Sequence, residues 1–186
     1  MKKICVILLA ALVLCGCRGD NDEFDQAMKV RTGLLNAGGC QFEAVVTADF
    51  SDRAYTFAMA CRSDEKGDLD FEVLEPEDIS GITGSIDFEG GKLIFDDTVL
   101  AFALQTEGVL SPVSAPWVLI RALRSGYVRY CTREDGLLRL TVNDSYEDDA
   151  LMLDIWINEM GQPVQADVYG NNRRILSLIV RNYRLL

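Results

Sequence analysis

The segment CQFEAVVTADF, residues 40 to 50, alternates apolar and polar side chains along the chain. Its apolar set consists of Cys40, Phe42, Ala44, Val46 and Ala48. Successive side chains of a β-strand point to opposite faces of the sheet, so this set lies on one face and the polar residues mostly on the other. A period of two with one apolar face predicts a half-buried antiparallel strand.

The next segment, AYTFAMACRSD, continues the same period after a short polar break. It places Tyr55, Phe57, Met59 and Cys61 on one face. A chain reversal over residues 50–53 pairs the two strands as a hairpin. That hairpin is expected to put Cys40 opposite Cys61, with both side chains pointing inward.

Further short strands are predicted along most of the remaining chain, joined by turns that are rich in Gly, Pro, Asn and Asp. Their segments are LDFEVLEP, SGITGSIDFEG, GKLIFDDTVLAFAL, YVRYCTRE, LLRLTVND, DALMLDIWIN, PVQADVYG and RRILSLIVRNYRLL. The turns NEMGQP and YGNNRR suit a meander, in which neighbouring strands run antiparallel.

Two helices interrupt this pattern. The first is expected to begin near Asn21, where Asp and Asn side chains can cap it, and to end before Gly38. The second is predicted in SPVSAPWVLIRALRSG, with Ser114 as the cap, Pro116 in the first turn and Gly126 as the stop. Its apolar stripe is Trp117, Ile120 and Leu123. Strands with two helices predict an α+β fold built on an antiparallel sheet.

The N-terminal segment has the parts of an export signal. Lys2 and Lys3 precede an apolar run from Ile4 to Leu14, which is shorter than the roughly 20 residues that span a bilayer. The sequence LCGC that ends this run resembles the lipobox of bacterial lipoprotein precursors, in which a cysteine after a small residue receives a diacylglycerol and becomes the new N-terminus. Cys17 is the residue expected to carry that lipid.

Other outcomes for this segment remain open. Processing after Leu14 would lipidate Cys15 instead, although Leu14 is bulky where a small residue is favoured. An ordinary cleaved signal and a retained uncleaved anchor are further alternatives. The preferred organisation is a signal peptide over residues 1–16, a lipidated terminus and spacer over 17–21, and one domain over 22–186, on the extracytoplasmic face of the cell membrane.

Charge and composition exclude several classes of protein. Residues 1–16 contain two basic residues and no acidic one, so the rest of the chain carries 16 basic and 29 acidic residues, a formal net charge of −13. Such a surface repels phosphate backbones and anionic headgroups, so no nucleic-acid partner is expected and membrane contact should come from the acyl chains on Cys17.

The chain has no histidine, which is the commonest general base and a frequent metal ligand. Acidic runs at residues 96–97 and 147–149 are the places where paired carboxylates could act. Adjacent strand residues point to opposite faces, so neither run supplies a facing pair. We therefore expect no enzyme activity, no metal site and no cofactor.

The remaining cysteines suggest a covalent link. An exported chain meets oxidising conditions, which favours a disulfide between Cys40 and Cys61. Two buried free thiols are the alternative. Cys131 is then unpaired, and we expect it to be a core thiol because no histidine is present to activate it.

The whole pattern resembles the superfamily of LolA, LolB, RseB and related lipoproteins. The resemblance covers residues 22 to 184 and is most specific in the closing segment WINEMGQPVQADVY, residues 156–169. Among the branches, the chain looks most like small lipoproteins of Gram-positive anaerobes. The resemblance implies a strongly curved, incompletely closed antiparallel barrel, with the N-terminal and inserted helices on its concave side.

The resemblance also implies binding, because the family's carriers hold acyl chains between the concave face and the helices. The cavity-lining residues expected here are Phe42, Val46, Tyr55, Phe57, Met59, Phe71, Trp117, Ile120 and Leu123. Residues at these spacings are also those of an ordinary core. Two hypotheses follow, a lipid-anchored protein that binds a lipid or acyl chain, and an anchored adaptor that binds a protein partner.

Overall fold

The computed structural model describes residues 21–50, 53–96, 98–106, 109–147 and 150–186. The predicted signal peptide, the lipidation site at Cys17 and most of the spacer lie outside these ranges. Part of each acidic run, at residues 97, 148 and 149, also lies outside them.

Two α-helices occur in the described ranges. Helix α1 spans Asn21–Asn36, and Asp22 and Glu23 lie in its first turn, where negative charge is favourable. Helix α2 spans Ala115–Ser125, with Pro116 in its first turn and Gly126 as its C-terminal cap. Both helices match the sequence prediction. Short 3₁₀ turns at Glu77–Ile79 and Pro112–Ser114 accompany them.

Thirteen strands occur in the part of the chain that the structure describes. In chain order, β1 to β6 are Gly39–Asp49, Ala54–Asp64, Leu69–Glu75, Thr83–Ile86, Gly91–Phe95 and Thr98–Phe102. The short pair β7 and β8 is Gln105–Thr106 and Val109–Leu110. The last five, β9 to β13, are Tyr127–Glu134, Leu137–Asn143, Met152–Ile157, Pro163–Gly170 and Arg173–Leu185.

Eleven of these described strands form one antiparallel sheet in the order β6-β5-β4-β3-β2-β1-β13-β12-β11-β10-β9. Every neighbouring pair is consecutive in the chain except β1 and β13, which bring the two halves of the meander together. The sheet is curved and not closed, so β6 and β9 are its edges. The predicted half-barrel is confirmed.

The core lies on the concave face, under α2. Each central strand contributes alternate apolar side chains, as in β1, where Phe42 and Val46 are buried, and β11, where Leu153 and Ile155 are buried. Helix α2 is buried nearly all round rather than along one stripe, because the curved sheet wraps it. The inserted segment is apolar because most of its side chains are enclosed by the sheet.

Two local predictions differ from the structure. The hairpin register places Cys61 opposite Phe42, and Cys40 opposite Ser63, so the two cysteines are diagonal neighbours rather than directly opposed. Ser114 stands at the cap of α2, but its hydroxyl donates 2.6 Å to the Ser111 carbonyl instead of capping the helix. A preceding 3₁₀ turn supplies that carbonyl, and the sequence pattern did not predict the turn.

Candidate ligand site at the rim of the sheet

The nine predicted cavity residues do not share one environment. Seven are buried in the core, namely Phe42, Val46, Met59, Phe71, Trp117, Ile120 and Leu123. Phe57 is half-buried, and Tyr55 is 52% exposed and packs edge-on against Phe50 at 5.9 Å between ring centroids. Tyr55 shares the strand face of Met59 but lies near the β1–β2 turn. The set therefore runs from the core to the surface.

Helix α2 is fixed in place by an arginine from α1. The Arg31 Nε donates 2.8 Å to the Leu123 carbonyl, and its Nη2 donates 2.6 Å to the Gly126 carbonyl. The last carbonyls of a helix lack partners within the helix, so these bonds satisfy groups that would otherwise be unpaired. Burial lowers the pKa of Arg31 from its ordinary value.

A cavity of about 210 Å³ opens where the C-terminal half of α2 meets the end of α1 and two strand turns. We call it the rim pocket. It is lined by Leu35, Lys66, Gly67, Phe88, Trp117, Arg121, Arg124 and Ser125. Of the predicted cavity residues, Trp117 is the one that lines it.

The turn between β2 and β3 shapes one wall of the rim pocket. Asp64 Oδ1 accepts hydrogen bonds from the backbone N–H groups of Lys66 and Gly67, both at 2.8 Å, and this holds the turn. Gly67 has a φ of +95°, and a Cβ there would lie 3.1 Å from Arg124 Nε. Only glycine meets both constraints, the left-handed backbone and the close approach of the guanidinium.

The opposite wall is aromatic. Phe88, in the turn between β4 and β5, is 68% exposed, and its ring meets Trp117 edge-on with centroids 5.6 Å apart. The Arg121 Cζ lies 5.4 Å from the Trp117 ring centroid and 5.6 Å from that of Phe88. A guanidinium at this distance is attracted to the ring faces, and its N–H groups remain available to a ligand.

Two cysteine thiols, Cys40 on β1 and Cys61 on β2, are buried in the core. Burial raises the pKa of Cys40 to about 11, although the nearby Arg124 charge and a side-chain hydrogen bond with Tyr183 act in the opposite direction. Burial, then the neighbouring Cys40, raises the pKa of Cys61. Both thiols are free in the structure. They are therefore poor nucleophiles at neutral pH.

A larger hollow of about 550 Å³ lies elsewhere, on the outer face of β1 to β5. Its walls are mostly outward-pointing polar side chains, including Arg62, Asp70 and Glu72. These side chains face solvent on the side of the sheet away from α2. Of the predicted cavity residues, only Phe71 lines this hollow.

Within the described ranges, no group of three or more acidic or cysteine side chains is arranged to hold a metal ion. Asp96, from the first acidic run, has a φ of +48° and lies in the turn between β5 and β6. The helices of those same ranges are too short or too polar to cross a membrane.

Sequence reasoning did not identify the charged part of the rim pocket. Lys66, Arg121 and Arg124 lie on two separate elements, so their proximity depends on the fold. One signal was present, since Arg121 and Arg124 are three residues apart on a predicted helix and therefore share a face. Phe88 was also missed because it lies in a turn, outside the alternation of the strands.

No family model matches the chain, and no curated protein does. Solved structures do share its architecture. A putative outer membrane lipoprotein-sorting protein domain from Vibrio parahaemolyticus superposes with a TM-score of 0.50 at 9% identity, covering 89% of this chain and 92% of that one.

Two other solved structures are similar over comparable lengths. A LolA superfamily protein from Nitrosomonas europaea has a TM-score of 0.46 at 9% identity, covering 86% of this chain and 93% of that chain. The lipoprotein LppX of Mycobacterium tuberculosis has a TM-score of 0.42 at 10% identity, covering 87% and 92%. At these identities the likeness concerns the fold alone, and the chain is similar in overall fold to the Vibrio lipoprotein-sorting domain.

Proposed function

We propose that this protein is a membrane-anchored extracytoplasmic lipoprotein whose half-barrel binds a hydrophobic ligand, with the rim pocket as the start of the binding site. The observation that carries the proposal is the apolar wall formed by Leu35, Phe88 and Trp117 at a gap between helix and sheet. Binding sites for apolar ligands are concave and mostly apolar, with a few polar groups that fix orientation. The lipid anchor on Cys17 rests on the lipobox-like sequence.

The interior beneath the rim pocket limits how the ligand can enter. Trp117 and Ile120 of α2 are 3% and 0% exposed, so the described part of the concave face is occupied by side chains. A ligand longer than the rim pocket therefore has to displace Phe88 or part of α2. Phe88 is the easier of the two to move, because it is largely exposed and sits on a turn.

Lipid extraction tests this proposal. The full chain is purified from its own host membranes, extracted with organic solvent, and its lipids are identified by mass spectrometry. The native chain is expected to yield a specific lipid in near-stoichiometric amount, and Phe88→Asp to lose most of it. Met160→Asp, at a 78% exposed position in the turn between β11 and β12, is the matched control. An extract that contains only bulk membrane lipid for all three chains contradicts the proposal.

A protein partner is the second candidate function, favoured by the β5–β6 hairpin. In this hairpin Ile94, Phe95, Val99 and Leu100 are between 46% and 61% exposed. Strand β6 is an edge of the sheet, and an apolar edge strand can pair with an incoming strand. This adaptor function is the alternative if no ligand is found.

In-cell photocrosslinking tests that alternative. A photoreactive residue at position 99 is expected to give one discrete crosslinked product, and Leu100→Lys to abolish it. The same photoreactive residue at position 146, where Tyr146 is 78% exposed outside the sheet edge, is the control. Identical products from both positions count against a specific edge partner.

A further inference from the structure

The rim pocket concentrates positive charge in an acidic protein. The chain has a formal net charge of −11, yet Lys66, Arg121 and Arg124 line one small cavity. Among the described residues, none of these three side chains makes an ion pair. Three cations that line one cavity make its local potential positive, which favours a ligand that carries negative charge.

Arg124 provides the most specific observation. Its Nη2 donates 2.6 Å to the Glu65 carbonyl, which fixes the guanidinium against the β2–β3 turn. Its Nη1 is buried and has no hydrogen-bond partner among the described residues. A buried N–H without a partner has lost its hydrogen bonds to water and gained none in return, so native structures rarely keep one without a reason.

Arg121 complements Arg124 from the preceding turn of the same helix. Its guanidinium is held by the rings of Trp117 and Phe88, at 5.4 and 5.6 Å from their centroids, and no hydrogen bond to a described residue occupies its N–H groups. Two guanidinium groups on one helix face can each donate paired hydrogen bonds to a carboxylate or phosphate. The aromatic rings that hold Arg121 also form the apolar wall.

We propose that the rim pocket selects an amphiphile with an anionic head group, a carboxylate or a phosphate, bound by Arg121 and Arg124, with its apolar chain against Phe88, Trp117 and Leu35. This inference rests on the proposed function and names the class of ligand. A volume of about 210 Å³ is below the roughly 300–1,000 Å³ of sites that enclose drug-sized ligands. The pocket therefore accommodates the head group and the first methylene groups of a chain.

Nearby carboxylates limit the anions that can bind. Burial raises the pKa of Asp68, and the neighbouring Asp64 and Asp87 carboxylates raise it further, while Lys66 opposes them. These acids lie in or beside the two strand turns that border the rim pocket. A small free anion has only the cations of the pocket to offset this repulsion, whereas an amphiphile also gains from its apolar contacts.

Photolabelling of the full chain in its own membrane vesicles tests the inference. The probes are a long-chain fatty acid that carries a diazirine and the fatty alcohol with the same chain and diazirine. We expect the acid to label the peptides that contain Phe88 or Trp117 at least about tenfold more than the alcohol does, as one charge-assisted pairing implies. Arg121→Gln should remove that preference, and Arg129→Gln, at an exposed position on β9, should retain it.

The outcomes separate the two proposals. Equal labelling by acid and alcohol, unchanged in Arg121→Gln, overturns the anionic selection and leaves hydrophobic binding intact. Labelling of neither peptide by either probe overturns the proposed function itself. Competition by millimolar inorganic phosphate that equals competition by unlabelled fatty acid shows a free-anion site and overturns the amphiphile. The labelling preference is also measured in Arg124→Gln. Loss of the preference in both variants shows that it does not result from a local rearrangement in Arg121→Gln alone.

Discussion

Cys40 and Cys61 are diagonal neighbours on adjacent strands. Whether they are free thiols or a disulfide can be tested by experiment. If both are thiols, as in the structure, a pKa of about 11 at Cys40 leaves little thiolate at pH 8. Iodoacetamide should then modify neither residue in the native chain at that pH, and the rate at Cys40 should still rise between pH 9 and 11. Peptide mass spectrometry after timed alkylation measures both rates.

The same experiment in denaturant tests the predicted disulfide. If the exported chain carries a Cys40–Cys61 disulfide, neither residue is alkylated after unfolding without reductant, and the intact chain is two hydrogens lighter than its reduced form. Full modification of both residues in denaturant without reductant contradicts the disulfide. Cys131, half-buried on β9, serves as an internal reference because it has no cysteine partner on its neighbouring strands.

Asp154 is a buried acid on β11 whose partners come from β10. Its Oδ2 accepts from Arg139 Nη2 at 2.6 Å and its Oδ1 from Thr141 Oγ1 at 2.6 Å. The Asp154 side chain is 4% exposed but that of Arg139 is 35% exposed, so water partly screens the pair. We expect Asp154→Asn to lower the free energy of unfolding by about 2 kcal/mol, since a charge-assisted bond is replaced by a weaker one.

Urea unfolding followed by circular dichroism measures this difference. The matched control is Glu23→Gln, which breaks the Glu23–Arg133 contact at 3.9 Å, where the two side chains are 26% and 50% exposed. It should change the free energy of unfolding by less than about 1 kcal/mol. If the two variants lower the free energy of unfolding equally, the buried Asp154 pair stabilises the fold no more than the exposed Glu23 pair does.

At the scale of single residues, the sequence predicted which side chains are buried better than it predicted which residues they contact. Alternation identified Phe42, Val46 and Met59 as inward-facing, and all three are in the core. Alternation also placed Tyr55 inward, but the end of a hairpin extends beyond the helix that covers the sheet. The partners of Arg31 and Arg124 depend on contacts between elements far apart in the chain, which period and propensity do not contain.

At the scale of elements, the junction of α1 and α2 is the contact that positions the rim pocket. Arg31 of α1 binds the carbonyls of Leu123 and Gly126 at the end of α2. Arg31→Gln leaves these carbonyls without their charged donor, so we expect the free energy of unfolding to fall by about 2 kcal/mol. It should also weaken ligand binding, because the adjacent Arg121 and Arg124 lose their fixed position.

Arg31→Lys provides the control for charge at the same position. A lysine keeps the charge but cannot bind several carbonyls with one planar group, so it should recover only part of the lost stability. Unfolding in urea measures both variants. Full recovery by lysine would show that charge alone stabilises the end of the helix.

Element types were predictable because their signals are local. The period of two gave the strands, and Pro116 and Gly126 bounded α2. The predicted pairing of Cys40 with Cys61 was wrong by two residues. Alternation determines which face of the sheet a side chain takes, but the partner strand can still shift by an even number of residues. The segment GKLIFDDTVLAFAL divides at Asp96, whose left-handed conformation makes the turn between β5 and β6.

At the scale of the whole molecule, the curvature was implied only by the family resemblance, and the pairing of β1 with β13 was not predicted. Long-range pairing between the first and last strands leaves no local trace, since each strand alternates in the same way whichever neighbour it has. The same holds for the two open edges and for the meeting of α2 with the turns at the rim pocket. Those features depend on pairing and packing between segments that are far apart in the chain.

The last prediction concerns how the whole molecule is held at the membrane. The domain carries a formal charge near −13 after the predicted processing, so its attachment should depend on the predicted lipid at Cys17. We expect Cys17→Ser to move the chain from the membrane fraction to the soluble extracytoplasmic fraction, because two acyl chains supply the stable anchorage that this acidic surface does not.

Fractionation with an alkaline carbonate wash, followed by mass spectrometry of the N-terminal peptide, checks this expectation. Cys15→Ser is the matched control and should stay attached with its lipid on Cys17. If Cys15→Ser is released from the membrane while Cys17→Ser stays attached, Cys15 is the lipidated residue. Retention of both would mean that the apolar segment Ile4–Leu14 remains uncleaved as the anchor. Lipidation at either cysteine would hold the rim pocket within a short spacer of the bilayer, so that an anionic amphiphile passes directly between membrane and protein.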